Sequence, residues 1–498
     1  MKFLGFIGPS YTLQSINVDA QRCVNWYPEI NEMGKGKGDE IASLVPTPGL
    51  LKLAEVGALG PIRLVHYDGT PKNQDNPVTR IFVISANEVY KVEVIAGVWT
   101  PTLLGTIETS SGPVIAASSN VDLGNTVFVD GVNTYLYKKV NTPSLLESFG
   151  TFTSFSLPVV EKATHVKYQD GYYIYTNETN QFFVSDVLSL NIDPLSFASA
   201  EGDPDNIVSL MTNRRDIWLL GERTTELWVN TGNADFPFER ASGGFIEKGC
   251  AAKYSVAKID NMIFWIGRDA SGQGIVYAGQ GLNPERISTF AVEYAFSTYQ
   301  NITTAVGYTY QSRGHSFYVL NFDEGTWVFD LTTRLWHERS YLNDGLMERH
   351  RSQFHTFIPE FGIHLVGDYA DNRIYELSNT TYTDDLNPIR CLRRSPHISN
   401  GLKEVFHSKL QIDIQPGVGL DGITQGTDPQ MMLRFSDDGG HTWSNEKWTS
   451  MGKIGRTKDR AIWRRLGRSR DRVYEVSSTD PVKRVLIGAE IEVEGGVS

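Results

Sequence analysis

Residues 436–443 read Ser436-Asp437-Asp438-Gly439-Gly440-His441-Thr442-Trp443, which matches the SxDxGxTW pattern of an Asp-box. In this pattern serine and aspartate side chains bond local backbone groups, glycine takes dihedrals that other residues avoid, and tryptophan packs beneath the turn. Asp-boxes occur in sialidases, so glycan cleavage is the first chemistry to weigh. Sialidases carry several copies inside propeller blades, together with an arginine triad. Here there is one copy, outside the repeats described below, and no such triad can be located. The expectation is a structural turn built from Ser436, Asp438, Gly440, Thr442 and Trp443, with no catalytic residue.

Other candidates fail on spacing. Gly34-Lys35-Gly36-Lys37-Gly38 lacks the GxxxxGK[ST] order and a strand–helix frame, so it reads as a flexible basic loop. Gly272-Gln273-Gly274 sits in a hairpin turn and not in a dinucleotide fingerprint. No HExxH, GxSxG or EF-hand loop occurs. The closest histidines, His350 and His355, are at odd spacing, which on a strand points them to opposite faces. Cys23, Cys250 and Cys391 lie far apart without CxxC spacing, which excludes a disulfide framework or a closed zinc site of their own. No cofactor and no metal are expected.

One charged segment stands out. Between Lys453 and Arg472 there are nine basic residues (Lys453, Arg456, Lys458, Arg460, Arg464, Arg465, Arg468, Arg470 and Arg472) against two acids, Asp459 and Asp471. A solvated hairpin face is one explanation. The other is an interface, with Lys453, Arg456, Arg464, Arg465, Arg468, Arg470 and Arg472 docking on an acidic neighbour, since charge complementarity sets register and partner choice.

The elements that position these residues are β-strands. The chain has 498 residues, 40% hydrophobic and 21% charged, with 22 Tyr, 24 Phe, 10 Trp and 46 Gly. That mixture suits pleated, half-buried surfaces joined by tight turns, and the length calls for more than one ordinary core. The net charge of −12 excludes a general nucleic-acid binder, because duplex affinity rests on cationic contacts, but it suits a surface along which DNA slides. No signal-peptide core or membrane-length apolar run is present, so synthesis and assembly in the cytoplasm are expected.

A repeat sets the architecture: an apolar strand, a polar turn, then a strand carrying an aromatic. The second-strand aromatics of each repeat are Tyr90, Tyr137, Phe183, Trp228, Tyr277, Phe329 and Tyr375, at intervals of 47, 46, 45, 49, 52 and 46 residues. The first-strand anchors Phe82, Phe128, Ile174, Trp218, Phe264, Tyr318 and His364 recur at 46, 46, 44, 46, 54 and 46. With one further strand on either side, each unit has four strands, the blade of a β-propeller. No WD40 or kelch signature appears. The long intervals before Tyr318 and Phe329 mark an inserted loop. The fold class expected is all-β: an irregular N-terminal arm (1–60), a seven-bladed β-propeller (61–390), and a C-terminal antiparallel β-sandwich-like domain (391–498). The last rests on the alternation in KLQIDIQ, QMMLRFS, DRVYEVSS and RVLIGAEIEVE.

The stretch GPSYTLQSINVDAQRCVNWYPEI with LVPTPGL, and the terminal WRRLGRSRDRVYEVSSTDPVKRVLIGAEIEVE, resemble the two ends of the packaged-DNA stabilisation proteins of short-tailed bacteriophages, also called tail accessory or tail nozzle proteins. The resemblance implies a non-enzymatic component of the virion tail: a homo-oligomeric, expectedly hexameric, ring beneath the portal and its adaptor ring. Such a ring extends the DNA channel, retains the packaged genome, which passes without sequence-specific binding, and offers attachment for tailspike, fibre or needle proteins. Two other readings stand beside it: a propeller-based glycan-binding or glycan-cleaving adsorption protein, and a peptide-binding propeller scaffold.

Overall fold

Short runs of aromatic and β-branched residues, punctuated by Asn, Asp and Gly, fold here into strands and tight hairpins nearly throughout. The structure is a computed structural model. It describes residues 1–31, 42–57, 60–69, 80–119, 125–139, 150–155, 162–401 and 403–496. The Gly34–Gly38 loop therefore lies outside the described residues.

Seven four-stranded blades follow one another along the chain. Blades one to five span 62–106, 115–155, 165–199, 207–246 and 257–286, each a separate antiparallel sheet. Blade six spans 306–343. Blade seven takes three strands from 352–378. First strands of neighbouring blades touch, so they line the axis: 62–67 meets 115–118 and 352–358, and 165–169 meets 115–118 and 207–213. The anchors Phe82 to His364 all fall on second strands, and the aromatics Tyr90 to Tyr375 all fall on third strands. Their registers differ, however. Phe329 pairs with its anchor Tyr318, whereas Tyr90 pairs with Val83, one step beyond Phe82. The long interval before Tyr318 contains the helix Phe290–Ser297, capped by the Thr289 hydroxyl, between blades five and six.

The N-terminal 60 residues differ from an irregular arm outside the ring. Gly49–Glu55 pairs antiparallel with Arg373–Ser378 and is the outer strand of blade seven. The ring is thus closed by hydrogen bonds between the beginning and the end of the propeller chain, which removes an open edge. Upstream of it, Ala20–Val24 pairs with Cys391–Arg394, and Ala42–Pro46, itself paired with Trp26–Ile30, meets Leu486–Gly495. These strands complete a sandwich with the C-terminal ones. One sheet holds Trp26–Ile30, Ala42–Pro46, Leu486–Gly495, Val405–Ile414 and Ala461–Arg464; the other holds Ala20–Val24, Cys391–Arg394, Asp471–Ser478, Gln430–Ser436 and Lys447–Ser450. Phe3, Phe6, Cys23, Trp26 and Leu44 share one core with Leu410, Ile412, Leu433, Tyr474 and Ile491. Both chain ends belong to the sandwich, and the propeller is threaded between them.

The two bodies are joined by sheet. Ala20–Val24 lies parallel to Leu335–Asn343, the outer strand of blade six, so one twelve-stranded sheet runs from the blade into the sandwich.

Candidate assembly surface and the joint that carries it

The Asp-box turn follows the strand Gln430–Ser436. Ser436 Oγ donates to Asp438 Oδ1 at 2.6 Å and accepts from the Gly440 amide at 2.7 Å. Asp438 also accepts from the Thr442 amide at 2.9 Å and from its hydroxyl at 2.6 Å. Gly439 and Gly440 have φ of 75° and 107°, where a side chain would be strained. These donors, first the Ser436 and Thr442 hydroxyls, hold the Asp438 carboxyl far below the usual carboxylate range. It is a fixed acceptor with its capacity spent inside the turn. Trp443 donates to the Gly440 carbonyl at 3.1 Å, and the guanidinium groups of Arg394 and Arg434 lie 4.6 and 4.8 Å from its ring. Both arginines also bond Glu475. Ser436, Asp438, Gly440, Thr442 and Trp443 thus meet as a turn.

The basic run follows on the neighbouring edge. Lys453, Arg456, Lys458 and Arg460 lie in the exposed loop between Lys447–Ser450 and Ala461–Arg464, and Arg456 pairs locally with Asp459 at 3.7 Å. Arg464 ends the edge strand of its sheet and Arg465 follows it at φ 55°. Arg468 bonds Glu404 at 3.1 Å. Arg470 is exposed. Arg464, Arg465 and Arg470 make no ion pair among the described residues. Arg472 departs from the group: it is buried, donates through Nε and Nη2 to both oxygens of Asp437 at 2.6 and 2.8 Å, and lies 4.1 Å from the Phe435 ring. Its strand Asp471–Ser478 is buried on both faces from Arg472 onward, whereas Arg468 and Arg470 precede it. Beside the exposed cations, Trp448 and Ile454 are each 61% exposed, which leaves an apolar and cationic surface at one rim of the sandwich.

The joint behind this surface is polar and packed. Arg22 pairs with Glu338, its Nε donating at 3.1 Å, and Ser10 Oγ donates to the same carboxylate at 2.9 Å. Burial pushes the Glu338 carboxyl up, but Arg22 and Ser10 outweigh it and the net direction is down. Asn25, at φ 56°, donates to the carbonyls of Ser340 and Arg390 at 3.0 and 2.9 Å and accepts from the Ser340 amide. Arg393 is fully buried and donates to the carbonyls of Gly5, Phe6, Pro9 and Arg22 and to Gln21 Oε1. Burial lowers its guanidinium to about 10. A cleft of about 320 Å³ opens at this joint, lined among others by Thr12, Arg22, Tyr294, Tyr299, Trp327 and Glu338.

The remaining sequence candidates are structural. Gly272-Gln273-Gly274 forms the blade-five hairpin, organised by the Asp269 carboxylate accepting from the amides of Ser271 and Gln273. His350 bonds Arg339 and Ser352, whereas His355 bonds His364, so the two do not meet. The three cysteines are buried thiols. Among the described residues no cluster of three or more His, Cys, Asp or Glu is placed to hold a metal ion, and no helix is long and apolar enough to cross a membrane.

Comparison with known families finds the same two bodies in the same order. Residues 16–382 match the family described as Bacteriophage P22 Gp10, beta-propeller, and residues 391–494 match Bacteriophage P22 Gp10, beta-sandwich. The chain belongs to the P22 Gp10 family. The Gp10 family comprises structural tail proteins of the phage virion, with a tail accessory and DNA-stabilising role. The propeller match begins before Gly49–Glu55, as the closure of blade seven requires. Among solved structures, the WD40 propeller domain of Doa1 is similar at 10% identity and a TM-score of 0.39, covering 66% of this chain and 96% of that one. The computationally designed Ika8 protein is similar at 11% identity and a TM-score of 0.36, covering 74% and 99%. No curated protein matches the chain.

The joint residues Arg22, Glu338 and Arg393 belong to no motif of the sequence. Arginines spread over distant segments carry no local pattern; the RCVNW stretch, with polar residues inside an otherwise apolar run, was the available signal.

Proposed function

We propose that this chain is a nozzle subunit of a short phage tail. Copies close into a ring, six by the family resemblance, beneath the portal and its adaptor ring. The ring extends the DNA channel, retains the packaged genome and carries tailspikes, fibres or a needle. It is assembled in the host cytoplasm before joining the virion, and it performs no catalysis.

Membership of the Gp10 family over both domains carries this reading. The physical organisation supports it. A part that bears the pressure of packaged DNA must not hinge, and here both chain ends are built into one sandwich while a continuous sheet ties that sandwich to blade six. A ring subunit presents one patch forward and a different one backward. The cationic and apolar rim at Lys453–Arg470 suits one side of such a contact, against an acidic surface of the next copy or of the adaptor ring, since the chain as a whole carries −12. The same acidic balance suits a lumen that DNA does not stick to.

Electron microscopy of the purified protein and of tails that incorporate it tests the proposal. Closed rings with the propeller and sandwich moving as one body are expected. A protein that stays monomeric at high concentration and is absent from tails overturns it.

A further inference from the structure

Two lysines of the propeller's first strands, Lys167 and Lys258, make no ion pair among the described residues. On the blade-three strand His165–Gln169, Val166 packs in the core between blades two and three with Val127, Val129 and Tyr173. Alternation therefore turns His165, Lys167 and Gln169 the other way, toward blade four and the axis. His165 meets Ser209 Oγ of blade four at 3.3 Å, which sets Lys167 level with Met211. Lys258 of blade five donates from Nζ to the carbonyl of Thr212, the next residue along, at 3.1 Å. Thr309 of blade six donates to the Lys258 carbonyl at 2.6 Å. Lys167 and Lys258 thus stand at one height, two blades apart, across the axis.

They are close enough to act on each other. Burial, and then the charge of Lys258, lower the Lys167 ammonium to about 8. Lys167 in turn adds to the burial that lowers His66 of blade one to about 4. Lys167 makes no ion pair or hydrogen bond among the described residues. Among the described residues Asp170 pairs with Arg215 and Glu178 with Lys253, Asp260 accepts from the uncharged Gln311 amide, and no carboxylate pairs with Lys167 or Lys258. A second observation is independent of charge. Gln169, 7% exposed and on the same face as Lys167, has an amide Nε2 without a hydrogen-bond partner. A buried donor without an acceptor costs free energy, as do two like charges held together.

We infer that the axial channel binds a tetrahedral oxyanion of the phosphate or sulfate type, between the Lys167 and Lys258 ammonium groups and beside the Gln169 amide. The anion neutralises both lysines and supplies the missing acceptor through charge-assisted hydrogen bonds. It pins blade three to blade five across the axis, contacts that the blade sheets themselves do not make. This site is independent of the ring and of every tail partner.

The test compares thermal unfolding of the full chain in low-millimolar sodium phosphate with sodium chloride at matched ionic strength and pH. A ligand of the folded state raises Tm progressively with its concentration. Low concentrations keep the general salting effect of phosphate small. The parent is expected to gain stability with phosphate, and K167Q and K258Q are expected to weaken that response by about tenfold or more in apparent affinity. In phosphate-free buffer K258Q, at an exposed position, is expected to match or exceed the parent in Tm, because the substitution relieves repulsion. The inference fails if phosphate and chloride act alike on the parent, or if both variants keep the full phosphate response.

Discussion

Val24 and Glu338 lie in register on neighbouring parallel strands, one from the sandwich and one from blade six. That pairing makes the propeller and the sandwich one sheet, and Arg22 and Ser10 fasten the Glu338 side chain at the same point. The joint is where a load between the bodies must pass.

Breaking this fastening should uncouple the two bodies. Glu338 is largely buried, so Glu338→Ala leaves the Arg22 guanidinium without its partner. A loss of about 1–3 kcal/mol is expected, lower than for a fully buried pair because Arg22 is partly exposed. Calorimetry should show the single unfolding transition of the parent broaden or divide in the variant. An unchanged, single, sharp transition would show that the backbone pairing alone suffices.

Arg393 should be the costlier loss. Arg393→Met fills a similar volume but strips the carbonyls of Gly5, Phe6, Pro9 and Arg22 of their donor. With several buried acceptors left unsatisfied, a loss of about 3 kcal/mol or more is expected in urea unfolding. The N-terminal segment should also become sensitive to proteolysis, because this one side chain gathers residues 5–22 onto the sandwich.

Asp438→Ala should lower the melting temperature of the sandwich modestly and remove no chemical activity, since its hydrogen bonds stay inside the turn. Asp438→Asn should recover part of the loss by still accepting from Thr442. Hydrolysis of a glycan by the purified parent, abolished by Asp438→Ala with folding intact, would overturn the structural assignment.

Acid should destabilise the fold through its histidines. Burial first of all pushes His165, His337 and His355 to about 3 and His66, His350 and His407 to about 4. These groups stay neutral when folded but take up protons when unfolded, near pH 6.5. Their contribution is therefore complete above pH 6.5 and is lost progressively as pH falls toward 3–4. About 1 kcal/mol each by pH 5.5 is the scale. His315 has the opposite sign: its hydrogen bond to Asp330 raises its pKa, so its contribution is present below pH 6.5 and fades as pH rises past its folded value. Melting curves from pH 7.5 to 5.5 should show Tm falling overall. His337 has both ring nitrogens unbonded, so His337→Phe should make that fall shallower.

What could be seen in advance was what is local. The blade hairpins announce themselves through aromatics that recur with the period of the unit, and the Asp-box through bonds that stay within a few residues. The helix Phe290–Ser297 was visible only as a stretched interval, because eight mostly apolar residues are too few to show a helical period beside the strands around them. The closure of blade seven and the N-terminal half of the sandwich were not legible. Ala20–Val24 and Gly49–Glu55 are ordinary short strands, and nothing in their own residues selects partners more than 300 positions away. Asn25, in the left-handed region between two strands, looks like a turn signal although it is the pivot from one sandwich sheet to the other. The axial lysines were hidden for the same reason, since a ring brings together side chains that sequence spacing keeps apart.

The cationic rim gives the last prediction. Arg472 is excluded from the variant because it holds Asp437 inside the domain, and Arg468 because reversing it would repel Glu404 at 3.1 Å. Arg464, Arg465 and Arg470 are exposed and free of ion pairs among the described residues, so their reversal to Glu should leave the fold nearly unchanged. Opposite charges across an interface fix orientation and speed encounter more than they add affinity, whereas like charges brought together cost several kcal/mol, on the order of a failed assembly. The triple variant should therefore melt like the parent and yet be missing from tails, and particles made with it should lose their DNA because the outlet stays open. Reversal of acidic residues on the correct neighbour should restore incorporation. Normal incorporation with full genome retention would reduce the rim to an edge strand guarded by charge, the common protection against unwanted strand pairing.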